Sequence, residues 1–270
     1  MKELLNVERL CVTHRKTKKR LVRDLCFSLS PGHSLTVLGQ SGCGKTTTCH
    51  SIMGLLDARR FQVTGGIAFE GRDLLSMGPR ERQGLRGGAI AMIPQNPMTA
   101  FDPSARIGSQ MRETLALHSA LHAAALVEKV GQALEQAGLG DVDRVCRSYP
   151  HTLSGGMLQR VMIAMALMVN ARLIVADEPT TALDVVHRNA TVEAFAALRE
   201  RGTAVLLVTH DFSVAAQLGG ALLVMRDGAL IEGGMVEHLL NAPRQPYTRA
   251  LLDAYRLSRC APHGKEAAVC

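Results

Sequence analysis

The chain has 270 residues, 47% of them hydrophobic and 20% charged, which excludes wholesale disorder and permits a buried core without disulfide or metal staples. Aromatic residues make up only 3%, with no Trp, which argues against a surface that stacks single-stranded nucleic acid on rings. A balance of 31 Lys and Arg against 24 Asp and Glu gives a net charge of +7, favouring anionic partners without choosing among nucleotide, lipid and nucleic acid.

In chain order, the opening MKELLNVERL lacks the central apolar stretch of a signal peptide. Residues 3–37 and 62–70 suggest short strands of an antiparallel layer, with Gly65-Gly66 and Glu70-Gly71 as turns. Inside it, the basic run His14 to Arg20 reads as a solvated hairpin turn, or else as a contact for anionic lipid or phosphates. Ser34 to Gly39 is an apolar strand that runs into QSGCGKTTT and then a helical stretch through Leu56. Gly39-Gln40-Ser41-Gly42-Cys43-Gly44-Lys45-Thr46 fits the phosphate-loop pattern G-x-x-x-x-G-K-[ST]. Its glycines let main-chain N–H groups turn inward around phosphate oxygens, and the following helix presents its positive end to the same anion. Lys45 would reach the β- and γ-phosphates and Thr46 would ligate Mg²⁺, with Thr47 completing the nucleotide-binding turn. Cys43 lies beside Lys45 at a helix start, so a lowered thiol pKa is expected, with alkylation that inhibits the protein.

Gln95 follows in Met92-Ile93-Pro94-Gln95-Asn96-Pro97, where an amide could meet Mg²⁺ or an attacking water, or simply face solvent. Residues 105–140 carry helical spacing at Met111, Leu115, Leu117, Leu121, Leu126, Val130 and Leu134, broken at Gly138 and Gly140; this predicts an inserted helical subdomain between Gln95 and Ser154. Ser154-Gly155-Gly156 at the start of an amphipathic helix forms either an ordinary cap or a second anion site. The most apolar run, Val161 to Val169, ends at Asn170 and Arg172, short of the ~20 residues of a membrane span. A second buried strand, Arg172 to Ala176, ends in Asp177-Glu178; there a carboxylate can hold magnesium and its neighbour can orient or deprotonate water. A third, Ala204 to Thr209, ends in His210-Asp211, where an imidazole could bond a γ-phosphate. Near-continuous apolar strands of this kind belong to parallel sheets covered on both faces, with ligands beyond their carboxyl ends. The seven cysteines show no paired metal spacing, which favours reduced cytosolic thiols; Cys260 and Cys270, around His263, form no convincing ligand set.

The order Gly39–Thr46, Gln95, Leu153–Met157, Leu173–Glu178, Ala182-Leu183-Asp184 and His210 resembles the ATP-binding-cassette (ABC) ATPases, over essentially residues 3–255. These correspond to the Walker A, Q-loop, signature, Walker B, D-loop and switch-histidine elements. The resemblance implies an α/β fold: a P-loop NTPase core with an antiparallel β layer and an inserted helical subdomain. It divides the chain into core residues 1–95 and 158–240, a helical subdomain at 96–157 and a C-terminal extension at 241–270. It implies a head-to-tail dimer with two ATP molecules at the seam. Lys45, Thr46, Gln95, Asp177, Glu178 and His210 would act on the chain's own nucleotide, with Thr46, Gln95 and Asp177 toward Mg²⁺. Ser154, Gly155 and Gly156 would close over the nucleotide of the opposite subunit, and Asp184 would couple the two sites. The adenine-stacking position falls on Thr13 or His14.

Leu153 to Leu167, Asp177 to Val186 and Pro246 to Leu252 resemble the oligopeptide, dipeptide and nickel importer group, and Phe101-Asp102-Pro103-Ser104 is most like its nickel and opine-metallophore ATPases. Met157, where the wider family often has Gln, fits the same group. The resemblance implies transmembrane permease subunits and a second ATPase subunit as partners. It also implies an extracytoplasmic substrate-binding protein reached indirectly, and a peripheral place on the cytoplasmic face of the membrane. No nucleic acid is expected. The alternatives are a peptide importer and a soluble, non-transport ABC ATPase.

Overall fold

In the computed structural model, residues 3–181 and 183–260 are described, the last four by their backbone. Three strands open the chain: β1 (Leu5–His14), β2 (Arg20–Leu29) and β3 (Ser34–Leu38). After the glycine turn come α1 (Lys45–Ile52), β4 (Phe61–Phe69), the two-residue β5 (Arg72–Asp73), α2 (Pro79–Leu85) and β6 (Ile90–Ile93). Helices follow: α3 (Ile107–His118), α4 (Ala123–Gln136), α5 (Val142–Arg147) and α6 (Gly155–Met168). The second half alternates β7 (Leu173–Asp177), α7 (Val185–Glu200), β8 (Ala204–Thr209) and α8 (Phe212–Leu218). It closes with the hairpin β9 (Ala221–Arg226) and β10 (Ala229–Met235), then α9 (Val236–Asn241) and α10 (Pro246–Cys260).

All ten strands join one sheet in the order β5-β4-β1-β2-β10-β9-β3-β8-β7-β6. Its β9-β3-β8-β7-β6 half is parallel, while β1, β2, β4 and β5 pair antiparallel, as the α/β reading expects. The parallel strands read as unbroken apolar runs because both faces are covered. Ile174, Ala176, Val205 and Leu207 pack into one core cluster with α3, α4 and α6, while Leu173, Val175, Leu206 and Val208 pack into the other with β1, β2 and α1. The apolar run Val161 to Val169 forms the end of α6 and its C-cap; Leu158, Val161, Ile163, Ala164 and Met168 of the helix are buried in the first cluster. Among the described residues no helix is long and apolar enough to cross a membrane.

Several expectations shift by local chemistry. The strand before the glycine turn stops at Leu38, and β7 runs from Leu173 through Asp177. Residues 34–37 lie in the parallel half rather than in the antiparallel layer. The first helix ends at Ile52 instead of Leu56, with Gly54 in the left-handed region at φ 62°. The 105–140 stretch is two helices, α3 and α4. Leu117, counted in the apolar stripe, is 77% exposed near the end of α3, where the Ser119 hydroxyl bonds the Leu115 carbonyl. Met157 and Leu158 both lie inside the unbroken α6. The β9–β10 hairpin was signalled only by the apolar ALLVMR followed by Asp227-Gly228 and completes the sheet beside β3 and β2.

Candidate functional site

Strand register collects the site. Leu38 pairs with Thr209 and Asp177 with Val208, so the carboxyl ends of β3, β8 and β7 lie side by side. The glycine turn, Asp177-Glu178 and His210 emerge from that one edge, where open parallel sheets bind ligands.

The turn from Gly39 to Gly44 is shaped by close backbone approach. A Cβ at Gly39 would sit 2.4 Å from the Met225 carbonyl oxygen, and one at Gly44 (φ 105°) would sit 2.4 Å from that of Leu21. Both positions therefore require glycine. The β9–β10 turn supports the loop from behind through a 3.0 Å bond from the Gly228 amide to the Cys43 carbonyl. Gln40, Ser41 and Gly42 face outward, and nothing lies near the Gly42 α-carbon on its open side. Among the described residues, the amides of Gly42, Gly44, Thr46 and Thr47 donate to no protein acceptor, and the first turn of α1 holds no acidic residue. Free N–H groups at an uncompensated helix start are a cradle for an anion.

Lys45 is 4% exposed, yet its ammonium is fully engaged. It donates to the Gly39 carbonyl at 2.8 Å and the Gln40 carbonyl at 3.1 Å, and pairs with Glu178 Oε1 at 3.3 Å. The Thr46 hydroxyl donates to Asp177 Oδ1 at 3.0 Å. Burial pushes the Asp177 carboxyl above its usual range, against the Thr46 bond that lowers it. A buried carboxylate whose charge is poorly solvated, touching a hydroxyl next to an anion cradle, suits a hard divalent cation with oxygen ligands.

Glu178 takes left-handed backbone (φ 46°), with its amide bonded to the Val208 carbonyl at 2.8 Å. Its Oε2 accepts from the Thr181 hydroxyl at 3.0 Å and from His210 Nδ1 at 2.8 Å. Burial raises this carboxyl, but the Thr181 and His210 bonds and the Lys45 charge outweigh it, and the net pKa falls below the usual value. The carboxylate is thus ionised and only accepts, so His210 carries its proton on Nδ1. Thr181 was not singled out in the sequence; its signal was its place three residues past Glu178.

The structure joins Lys45, Thr46, Asp177, Glu178 and His210 into one cluster. Gln95 is exposed two residues beyond β6, which neighbours β7, and makes no hydrogen bond to that cluster. Ser154 caps α6 by accepting the Met157 amide at 3.3 Å, and Gly155 is open. No hydrogen bond or ion pair among the described residues links Ser154, Gly155 or Gly156 to Lys45, Asp177 or Glu178. Asp184 caps α7 and is exposed. The His14 ring meets the Phe61 ring edge-on at 5.4 Å and its Nδ1 lies 3.1 Å from the Thr17 hydroxyl, inside the β1–β2 hairpin; Thr13 pairs with Arg20 and Gln62. Ala182, Cys270 and His263 lie outside the described residues, as does the Cys260 side chain.

Cys43 corrects the sequence reading. Its thiol is 5% exposed behind the loop, and burial raises its pKa above the usual value, outweighing the lowering by Lys45. Charge and helix dipole alone suggested a reactive thiolate, but desolvation wins. Iodoacetamide is therefore expected to modify exposed Cys26 well before Cys43, as peptide mass mapping would show. Faster loss of the Cys43 thiol would contradict the burial.

A family model described as "ABC transporter" matches residues 22–181. The chain is 41% identical over 251 residues to the metal-staphylopine import system ATP-binding protein CntD of Staphylococcus aureus, covering 93% of this chain and 92% of that one. It is 39% identical over 258 residues to the dipeptide transport ATP-binding protein DppD of Bacillus subtilis, covering 94% and 77%. Its backbone matches a dimeric post-hydrolysis state of the ATP-binding cassette MJ0796 bound to ADP and Pi, with a TM-score of 0.76 and 24% identity, covering 86% and 98%.

Proposed function

This chain belongs to the ABC transporter ATPases and is the ATPase of an importer, and we propose that its hydrolysis drives uptake of nickel or of a metal–chelator complex. The observation that carries the cargo is the 41% identity to the metal-staphylopine import ATPase over nearly the whole of both chains. The segment Phe101–Ser104 adds to it by its resemblance to the nickel and opine-metallophore ATPases.

On this reading ATP lies along the Gly39–Thr47 turn, with its phosphates on the free amides and Lys45. Bound Mg²⁺ would neutralise phosphate charge, held by Thr46 and Asp177, with Gln95 reaching in from the β6 side. Lys45 exchanges its carbonyl partners for phosphate oxygens. Glu178 holds the attacking water and takes its proton, and His210 fixes the carboxylate and faces the γ-phosphate. The second cradle, Ser154–Gly156, has no hydrogen bond or ion pair to these groups among the described residues and would close over the nucleotide of a second ATPase subunit, identical or sister. Permease subunits would anchor the pair to the cytoplasmic face of the membrane, with a substrate-binding protein on the far side.

Proteoliposomes carrying the complete transporter are the test. With MgATP inside, they are expected to accumulate radioactive nickel presented with its chelator, and not a labelled dipeptide. Dipeptide uptake without metal uptake would favour the second reading, which the 39% identity to the dipeptide ATPase supports.

A further inference from the structure

One imidazole outside the nucleotide cluster connects the Ser154–Gly156 turn, which the proposed function assigns to a partner's nucleotide, with the turn at Asp184. Asp184, at the start of α7, accepts the His187 amide on Oδ1 at 2.9 Å and the His187 ring on Oδ2 at 2.7 Å. Both bonds lower the Asp184 carboxyl below its usual range, so it is ionised and His187 Nδ1 is the donor. The same ring packs against the signature turn: a Cβ at Gly156 would stand 2.8 Å from its Cδ2 and 3.2 Å from its Cγ. Gly156 itself is buried, while Ser154, Gly155 and Asp184 face outward. Beside them Val185 and Val186 are 56% and 73% exposed, β-branched apolar side chains at the same outward edge. The ring is thus held at one end by charge and wedged at the other against a residue with no side chain.

We propose that His187 is a positioning residue that locks the Asp184 turn to the Ser154–Gly156 turn, so that both meet the opposite subunit as one rigid unit. This rests on the reading of Ser154–Gly156 as a cradle for a partner's nucleotide. Among the described residues His187 makes no hydrogen bond or ion pair to this chain's glycine turn or its Glu178 cluster, so its effect falls on turnover and not on the chain's own affinity for nucleotide. A charge-assisted bond of this kind, lost at a site that must close in register, is expected to cost about tenfold in rate.

The test compares His187→Leu, which keeps the volume without the donor, with His187→Asn, whose amide N–H can replace Nδ1. In the assembled transporter, kcat should fall about tenfold in His187→Leu and recover to within about threefold in His187→Asn. KM for MgATP, and MgATP binding by the isolated chain, should stay within twofold in both. Wild-type kcat in His187→Leu, or equal loss in both variants, would overturn the lock. A wild-type complex without MgATP-dependent turnover would instead strike at the proposed function, and at the lock with it.

Discussion

Replacing Glu178 by Gln is expected to lower the ATPase rate by at least about a hundredfold while leaving MgATP binding intact. The substitution preserves shape and keeps an oxygen that can accept from Thr181 or His210, 3.0 and 2.8 Å away. What it removes is a charged acceptor for the proton of water. It also removes the partner of Lys45, at 3.3 Å, which frees that ammonium for phosphate. The carboxyl is depressed in the protein without nucleotide, and one contributor is the Lys45 charge. Once Lys45 turns to phosphate that contribution weakens, and Glu178 becomes a stronger base at the moment it is needed. Binding is read with a fluorescent ATP analogue and turnover by phosphate release. The variant should also accumulate as a closed, nucleotide-bound dimer in sedimentation. A variant that hydrolyses ATP at the parent rate would remove Glu178 as the base.

Lys45→Ala acts one step earlier, on binding. The side chain is buried in a bed of two carbonyl oxygens and one carboxylate, an arrangement that suits a cation; its removal leaves the Gly39 carbonyl and Glu178 Oε1 unmet, while the Gln40 carbonyl keeps the Cys43 amide. Affinity for MgATP is expected to fall at least about tenfold, and hydrolysis with it, because the phosphate tail loses a buried cationic partner. The same variant should lose stability without nucleotide, since Glu178 remains partly buried beside carbonyls with its positive neighbour gone. Thermal unfolding with and without MgATP separates the two effects: the midpoint drops, and the rise on adding MgATP shrinks. An unchanged rise would contradict the role of Lys45.

The parts of this site that were legible in the sequence are those set by local spacing. Gly39, Gly44, Lys45 and Thr46 lie within one turn, and Asp177-Glu178 and His210 each follow an apolar strand whose burial on both faces is written in its composition. Strand register then does the assembly, with Leu38 beside Thr209 and Asp177 beside Val208. What was hidden depends on partners far along the chain. Cys43 looked reactive because Lys45 and the helix start are sequence neighbours, but the Gly228 and Met225 backbone that closes over its turn is not. His187 carried no motif, and its meaning arises only where α7 crosses the signature turn. Leu117 was counted with the helical stripe yet faces solvent, because inside α3 it follows buried Leu115 by two residues and so stands on the opposite side of the helix.

The most direct test of the account is a calorimetric titration of nucleotide into the purified wild-type chain. The account predicts saturable binding of one ATP per chain that strengthens with Mg²⁺ and weakens at least about tenfold in Lys45→Ala. An absence of heat or of saturation, with or without Mg²⁺, in a folded chain would contradict it.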